Sequence, residues 1–185
     1  MKIVRFSLLL VVMLLLTACM KRGITMIAEP GKNYYTRYTI QYQNGRYRTN
    51  NYRLGKILPF NSAVRFIKND TNNIYVRILP SGEPLKIERV QKTGNDSLKA
   101  TFEQLFTAKK VNLSIYFPRV LDSIESGSIE DGMSREMVIL TLGYPPRSKT
   151  PSLNANRWVY WSSPSRPFTV HFKKGQVYDV TDGAL

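Results

Sequence analysis

The chain has 185 residues with 27 Lys and Arg, 13 Asp and Glu, one Cys and one His, and a formal net charge of +14. A single Cys excludes an internal disulfide, and so little Cys and His excludes a multi-thiolate or polyhistidine metal site. The positive charge favours an anionic partner, and nucleic acid is the first candidate that such a charge suggests.

The N-terminus has the pattern of a bacterial export signal. A basic start precedes a largely apolar run over residues 6–16, which is too short to cross the roughly 30 Å of a bilayer core. Residues 16–19 read Leu-Thr-Ala-Cys, which resembles the lipobox of bacterial lipoproteins. That resemblance implies cleavage after residue 18 and a diacylglycerol and an N-acyl lipid on Cys19, a durable anchor. The alternative is an ordinary signal peptide with an incidental thiol.

An anchored chain of this kind lies outside the cytoplasm. Met20 follows Cys19 where Asp would favour the inner membrane, so the resemblance implies an outer-membrane protein that faces the periplasm of a Gram-negative bacterium. Without residues 1–18 the chain has 25 basic and 13 acidic residues, a net charge of +12. The expected anionic partners are therefore phospholipid headgroups, lipopolysaccharide, acidic peptidoglycan and protein surfaces, and not nucleic acid.

Charge is distributed unevenly along the remaining chain. Residues 21–99 contain 15 basic and 5 acidic residues, residues 100–142 contain 4 and 6, and residues 143–185 contain 6 and 2. We therefore expect two structural parts. The predicted segments are a signal peptide (1–18), the lipidated Cys with a tether (19–33), a basic β-rich domain (34–92), a helical connector (93–114) and an α/β domain (115–185).

The first part reads as short strands. Residues 34–43 alternate between two faces, which predicts a strand, and Asn44-Gly45 favours a tight hairpin turn. Further strands are predicted at 46–49, 56–58, 63–67, 73–79 and 85–90. Five or six short strands form a small barrel or roll, and the segment from Gly55 to Val90 resembles a bacterial SH3-like domain.

Basic residues accompany tyrosines in this part of the chain. From Lys32 to Lys68 there are eight basic residues and no acid, an interleaving that in a cytosolic protein would suggest single-stranded nucleic acid. In the envelope it favours anionic lipid, lipopolysaccharide or peptidoglycan, and a generally solvated basic surface is the alternative. The predicted basic patch comprises Arg37, Arg46, Arg48, Arg53, Lys56 and Arg65.

The second part predicts helices followed by strands. Apolar residues at helical spacing predict a helix over 97–108 with Ser97 as N-cap, and a short helix is predicted over 119–126. A third helix begins after Ser134 and ends at Gly143, before two prolines. Strands are predicted at 157–162, 168–173 and 176–181, with a tight turn at Lys174-Gly175.

One motif in this part carries a family resemblance. Residues 132–146 read Gly-Met-Ser-Arg-Glu-Met-Val-Ile-Leu-Thr-Leu-Gly-Tyr-Pro-Pro, and Trp-Val-Tyr follows at 158–160. The pattern resembles the SmpA/OmlA (BamE-like) family of outer-membrane lipoproteins, over roughly residues 115–182. The matching residues are Gly132, Met133, Ser134, Val138, Leu142, Gly143, Pro145, Trp158 and Tyr160.

The resemblance implies a fold and a function. It implies a module of two helices packed on a three-stranded antiparallel sheet, within the β-barrel assembly machinery. The physical reading of the same residues is that glycines turn the backbone, Ser134 caps the helix and the apolar residues pack together, so any contact with a partner is additional. The chain departs from the family in its large basic N-terminal part.

Candidate catalytic groups are few. His171 is predicted on the solvent side of a strand without a partner, and the acidic residues from Asp122 to Glu136 form a solvated cluster or dock to a basic surface. We therefore expect an α+β, non-catalytic protein without a metal or other cofactor. The leading interpretation is an envelope protein-interaction module in outer-membrane protein assembly or envelope integrity. The alternative is an SH3-like protein that binds peptidoglycan or anionic lipid, with a structural C-terminal module.

Overall fold

The computed structural model describes residues 24–50, 52–90 and 97–182, which form a mixed α+β structure. In this part of the chain a curled six-stranded sheet, a three-stranded antiparallel sheet and a two-stranded sheet accompany three helices. The strands are β1 (Asn33–Thr36), β2 (Ile40–Tyr42), β3 (Arg46–Arg48), β4 (Lys56–Leu58), β5 (Ala63–Asn69), β6 (Asn73–Ile78), β7 (Pro84–Glu88), β8 (Phe106–Thr107), β9 (Arg157–Ser163), β10 (Arg166–Lys173) and β11 (Gln176–Asp182). The helices are α1 (Leu98–Leu105), α2 (Pro118–Ser126) and α3 (Arg135–Leu142).

The six-stranded sheet has the order β3-β7-β6-β5-β1-β8. Its neighbours are antiparallel except for β3 and β7, which run parallel. Helix α1 covers the apolar face, and the ring of Phe102 lies edge-on to Tyr34 at 4.9 Å and to Phe66 at 5.5 Å. The helix that we expected as a connector between two parts therefore belongs to the core of the first part.

The predicted strand over residues 34–43 is divided in two. Its first half, β1, pairs with β5 and β8, whereas its second half, β2, pairs with β4 in the separate two-stranded sheet. The chain leaves the six-stranded sheet after Thr36, whose hydroxyl donates to the Pro59 carbonyl at 2.8 Å. The alternation nevertheless holds across the break, because the even-numbered residues from 34 to 42 are all buried.

The second part has the predicted order of elements. Strands β9, β10 and β11 form an antiparallel sheet, and α3 packs on it through a cluster that includes Val138, Leu142, Trp158 and Phe172. The Ser134 hydroxyl caps α3 by accepting from the Met137 N–H at 3.2 Å. Helix α2 lies elsewhere, so only one of the two helices contributes to this cluster.

Helix α2 instead helps to join the two parts of the chain. Its buried Ile124 packs with Phe60 from the first part and Leu140 from α3. Thr39, which is fully buried, donates from its backbone N–H to Leu140 O at 2.9 Å and from its hydroxyl to Ile124 O at 2.6 Å. Arg53 N donates to Trp161 O at 3.0 Å. The two parts are thus packed together through buried contacts.

Candidate anion-binding face

The outer side of the six-stranded sheet concentrates positive charge. Successive side chains of a strand point to opposite faces, and here most of the residues between the buried apolar positions are basic. The register places Arg46 beside Lys86 and Arg65 beside Arg77. The basic face, as we call it, spans four adjacent strands and comprises Arg46, Arg48, Arg65, Lys68, Arg77 and Lys86.

A single acid lies among these cations on the sheet. Glu88, whose side chain is 16% exposed, forms ion pairs with Lys86 at 3.0 Å, Arg48 at 3.2 Å and Arg46 at 3.7 Å. Hydrogen bonds from Lys86 and Arg48, together with the charges of Lys86 and Arg46, lower the pKa of Glu88. One carboxylate cannot neutralise three cations, so this end of the basic face keeps a net positive charge.

The other end of the basic face carries uncompensated charge. Within the described ranges, Arg65, Lys68 and Arg77 form no ion pair. Arg65 instead donates to Asn33 Oδ1 at 3.2 Å and Arg77 to Gly82 O at 3.0 Å. Neutral acceptors hold these guanidinium groups in place and leave their charge available to an anion.

Two tyrosines lie on the same side of the sheet. The ammonium of Lys68 lies 5.3 Å from the ring centre of Tyr75, and that of Lys110 lies 5.8 Å from the ring of Tyr35, within the range of cation–π attraction. The Tyr75 hydroxyl donates to Asp70 at 2.9 Å. The basic face therefore combines cations with aromatic surface.

Asp70 marks the turn at the end of the face. Desolvation raises its pKa, but hydrogen bonds from the Asn73 side chain, the Asn72 N–H and the Tyr75 hydroxyl outweigh that effect and lower the pKa to about 2. The carboxylate also accepts from the Asn73 N–H at 2.8 Å. Asp70 therefore stabilises the turn between β5 and β6 through these hydrogen bonds.

The predicted basic patch is only half brought together. Arg46, Arg48 and Arg65 lie on the basic face, whereas Lys56 lies on the two-stranded sheet, where it pairs with Glu83 at 3.2 Å. Lys68, Arg77 and Lys86 were missed. Alternation places Arg77 and Lys86 on the outer side of the predicted strands 73–79 and 85–90, whereas Lys68 faces outward because a register shift between Phe66 and Lys68 interrupts the alternation of β5.

Arg53 is a correction to the predicted patch. It lies between the two parts, where it donates to Thr39 O and to Gly127 O, each at 3.3 Å. Burial lowers the pKa of Arg53 to about 10, so it remains charged at neutral pH. The residue follows an irregular segment after β3 rather than a strand of the sheet, which is why alternation does not place it.

Arg37 lies in a cleft between the two parts. The cleft has a volume of about 530 Å³ and is lined by Tyr38 and Tyr47 on one side and by residues 144–147 on the other. Arg37 Nη1 donates to Glu103 O at 2.8 Å there. The cleft is therefore separate from the basic face, and Arg37 is the predicted patch residue that it contains.

The residues of the family-like motif face inward. Met133, Val138, Leu142, Gly143, Pro145, Trp158 and Tyr160 are buried, Ser134 is half-buried and Gly132 is exposed. Gly143, with φ 77°, lies against the Tyr38 ring of the first part, and its carbonyl accepts from the Tyr160 hydroxyl at 2.9 Å. The motif thus packs the second part and joins it to the first.

No group of three or more His, Cys, Asp or Glu that could hold a metal ion lies within residues 24–50, 52–90 and 97–182. His171 shares a hydrogen bond of 2.8 Å with Thr181 on the outer side of its strand. None of the helices in the described segments is long and apolar enough to cross a membrane, and Cys19 lies outside those segments.

Comparisons with known proteins identify no relative of this chain. The chain matches no family model, no curated protein and no solved structure.

Proposed function

We propose that this chain is a non-catalytic lipoprotein of the bacterial outer membrane that binds an anionic component of the envelope. The acyl chains on Cys19 would hold it on the periplasmic side, and the basic face would be its binding surface. The observation that carries the proposal is the gathering of six basic side chains on one side of a sheet with a single acid among them.

The fold is consistent with the two resemblances in the sequence. Five short strands and their curled sheet support an SH3-like first part, although α1 and β8 complete it. The order α2, α3, β9, β10, β11 supports a BamE-like second part. The inward packing of the motif favours a structural role for that module, which moves the expected binding surface to the first part.

Lipidation is the first part of the proposal to test. Mass spectrometry of the N-terminal peptide of the protein from envelope membranes should show Cys19 as the first residue, carrying a diacylglycerol and an N-acyl chain. A retained residue 18 or an unmodified thiol would contradict the anchor.

Binding is tested without the anchor. A Cys19→Ser chain without residues 1–18 is sedimented with purified sacculi, with neutral vesicles and with vesicles that contain anionic phospholipid. We expect the chain to pellet with an anionic component and to stay in solution with neutral vesicles. A chain that pellets with neither sacculi nor anionic vesicles would refute an anion-binding function.

A second candidate function is docking to an envelope protein, as in outer-membrane protein assembly. It is favoured by Ile115 and Phe117, which precede α2 and are 74% and 80% exposed. Exposed large apolar side chains of this kind are typical of contact sites. A photo-crosslinking residue at position 117 should capture one envelope protein in intact cells, whereas one at position 153 should not. Equal capture from both positions would exclude this site.

A further inference from the structure

The chain enters the described structure at one end of the basic face. Thr25 O accepts from Asn69 Nδ2 at 3.2 Å, and Ile27 N donates to Asn69 Oδ1 at 3.0 Å. Asn69, only 5% exposed, is the last residue of β5 and directly follows Lys68 of the basic face. The next residues run along β5, with Gly31 N donating to Phe66 O at 2.8 Å. The entry point is therefore fixed near the β5 end of the basic face, with Ile27 and Ala28 packed against the core side of the sheet.

The anchor is close to this entry point along the chain. Six residue steps separate Cys19 from Thr25, and even a fully extended chain of that length spans only about 20 Å. The basic face itself crosses four neighbouring strands, or about 14 Å. An acylated Cys19 would thus keep the whole face within a short distance of the leaflet that contains the acyl chains.

Exposed apolar side chains accompany the cations at this end. Ile24 is 50% exposed, Met26 is 44% exposed and Ile67 is 37% exposed. Ile67 precedes Lys68 in β5, and the other two flank Thr25. Large apolar side chains next to Lys and Arg are typical of segments that lie in the interfacial layer of a membrane. A peptidoglycan network offers carboxylates but no apolar layer, so these residues favour a membrane.

Charge elsewhere on the molecule is mixed. Helix α2 exposes Asp122 and Glu125, which an anionic surface would repel, whereas the second part also exposes Lys149, Arg157 and Lys173. Each Lys or Arg near an anionic leaflet raises the affinity about fivefold, so the molecule gains most when the basic face is turned toward the lipid phosphates.

We infer that the partner of the basic face is the phosphate-bearing surface of the same leaflet that holds the anchor. Ile24, Met26 and Ile67 enter its interfacial layer while the six cations contact headgroup phosphates. This inference rests on the proposed lipidation of Cys19 and deepens the proposed function by naming the anionic component. The protein then lies flat on its membrane instead of reaching from it to the cell wall.

The test measures how close each end of the protein comes to the headgroups. Cys19 is the sole Cys of the chain and is acylated in the proposed lipoprotein, so an introduced Cys can be labelled selectively. A fluorophore is attached to Ile67→Cys, or to Thr71→Cys in the neighbouring exposed turn. Leu153→Cys, 39% exposed on the second part, is the matched control. The full lipidated protein is reconstituted in vesicles with one third anionic phospholipid and headgroup nitroxide quenchers.

We expect quenching at positions 67 and 71 to exceed that at position 153 at least threefold, and the excess to fall in neutral vesicles or high salt. A chain that floats with the vesicles but is quenched equally at all three positions overturns the inference and leaves the anchor intact. Binding of the basic face to sacculi, with position 67 unquenched on vesicles, overturns it as well. A chain that floats with no vesicles refutes the anchor and the inference together.

Discussion

Gly143 is a residue at which the packing of the two parts is sensitive to a single added atom. Its φ of 77° and ψ of −170° lie in a region that is essentially restricted to glycine. A Cβ at this position would lie 2.5 Å from Tyr38 Cε2 and 2.8 Å from Tyr38 Cδ2. Tyr38 is buried, and its hydroxyl is 3.3 Å from that of Tyr47. The ring therefore has little freedom to move away.

Backbone strain and the steric overlap with Tyr38 together determine how much Gly143→Ala should lower the free energy of unfolding. The backbone strain is about 1–3 kcal/mol, and forcing an extra carbon into a packed core costs about 1–3 kcal/mol more. We expect the free energy of unfolding to fall by about 2–6 kcal/mol. The assay is urea denaturation followed by tryptophan fluorescence, because the buried Trp158 lies in the same cluster as α3.

Gly132 provides a matched control within the same motif. Its φ is 83°, but a Cβ there would meet no atom within 4 Å, so Gly132→Ala should cost only about 1–2 kcal/mol for the left-handed backbone. If Gly143→Ala destabilises the protein no more than Gly132→Ala does, then the motif does not pack against Tyr38 and our account of the junction is wrong.

Three further predictions concern charged residues. The pKa of Asp70 is lowered to about 2 from its usual 3.8, so its contribution to stability is present above pH 3.8 and is lost as the pH falls toward 2. The urea midpoint of Asp70→Asn should therefore fall less than that of the wild type between pH 5 and pH 2.5. An equal fall would contradict this prediction. Glu88→Gln removes the acid from the basic face and should tighten binding to anionic vesicles about fivefold, whereas Glu83→Gln should leave it unchanged; a loss of affinity in Glu88→Gln would count against the face. Arg53→Met deprives two backbone carbonyls of their donor, so urea denaturation should show a loss of stability of about 1–3 kcal/mol, and sedimentation should show unchanged vesicle binding. Arg48→Met should instead weaken vesicle binding and leave the stability unchanged.

Local patterns predict most of the elements. The alternation from Tyr34 to Tyr42, the Asn44-Gly45 turn and the caps at Ser97, Ser134 and Gly143 are confirmed, because each depends on neighbouring residues alone. Asn44 and Gly45 have φ of 51° and 68°, as a tight hairpin turn requires. Short-range preferences and side-chain periodicity therefore carry over well from the sequence to the structure.

Long-range arrangement is what the sequence does not predict. The parallel pairing of β3 with β7 joins residues about 40 positions apart, and nothing local distinguishes it from another hairpin. The burial of Arg53 depends on Gly127 and Trp161 in the other part. Alternation predicts that Arg46 and Arg65 point outward, but only the strand order shows that they share a surface with Lys86.

The central claim is that one face of the six-stranded sheet is the anion-binding site. It is tested most directly by two variants that change the net charge by the same amount, one on the basic face and one elsewhere. Arg46, Arg48 and Arg65 are replaced by Glu in one variant of the Cys19→Ser chain, and Lys149, Arg157 and Lys173, all exposed on the second part, in another. Partition onto vesicles with one third anionic phospholipid is measured for both. The account predicts a loss of at least about 100-fold for the first variant and less than fivefold for the second. Equal losses would show that net charge alone drives binding and would contradict the account.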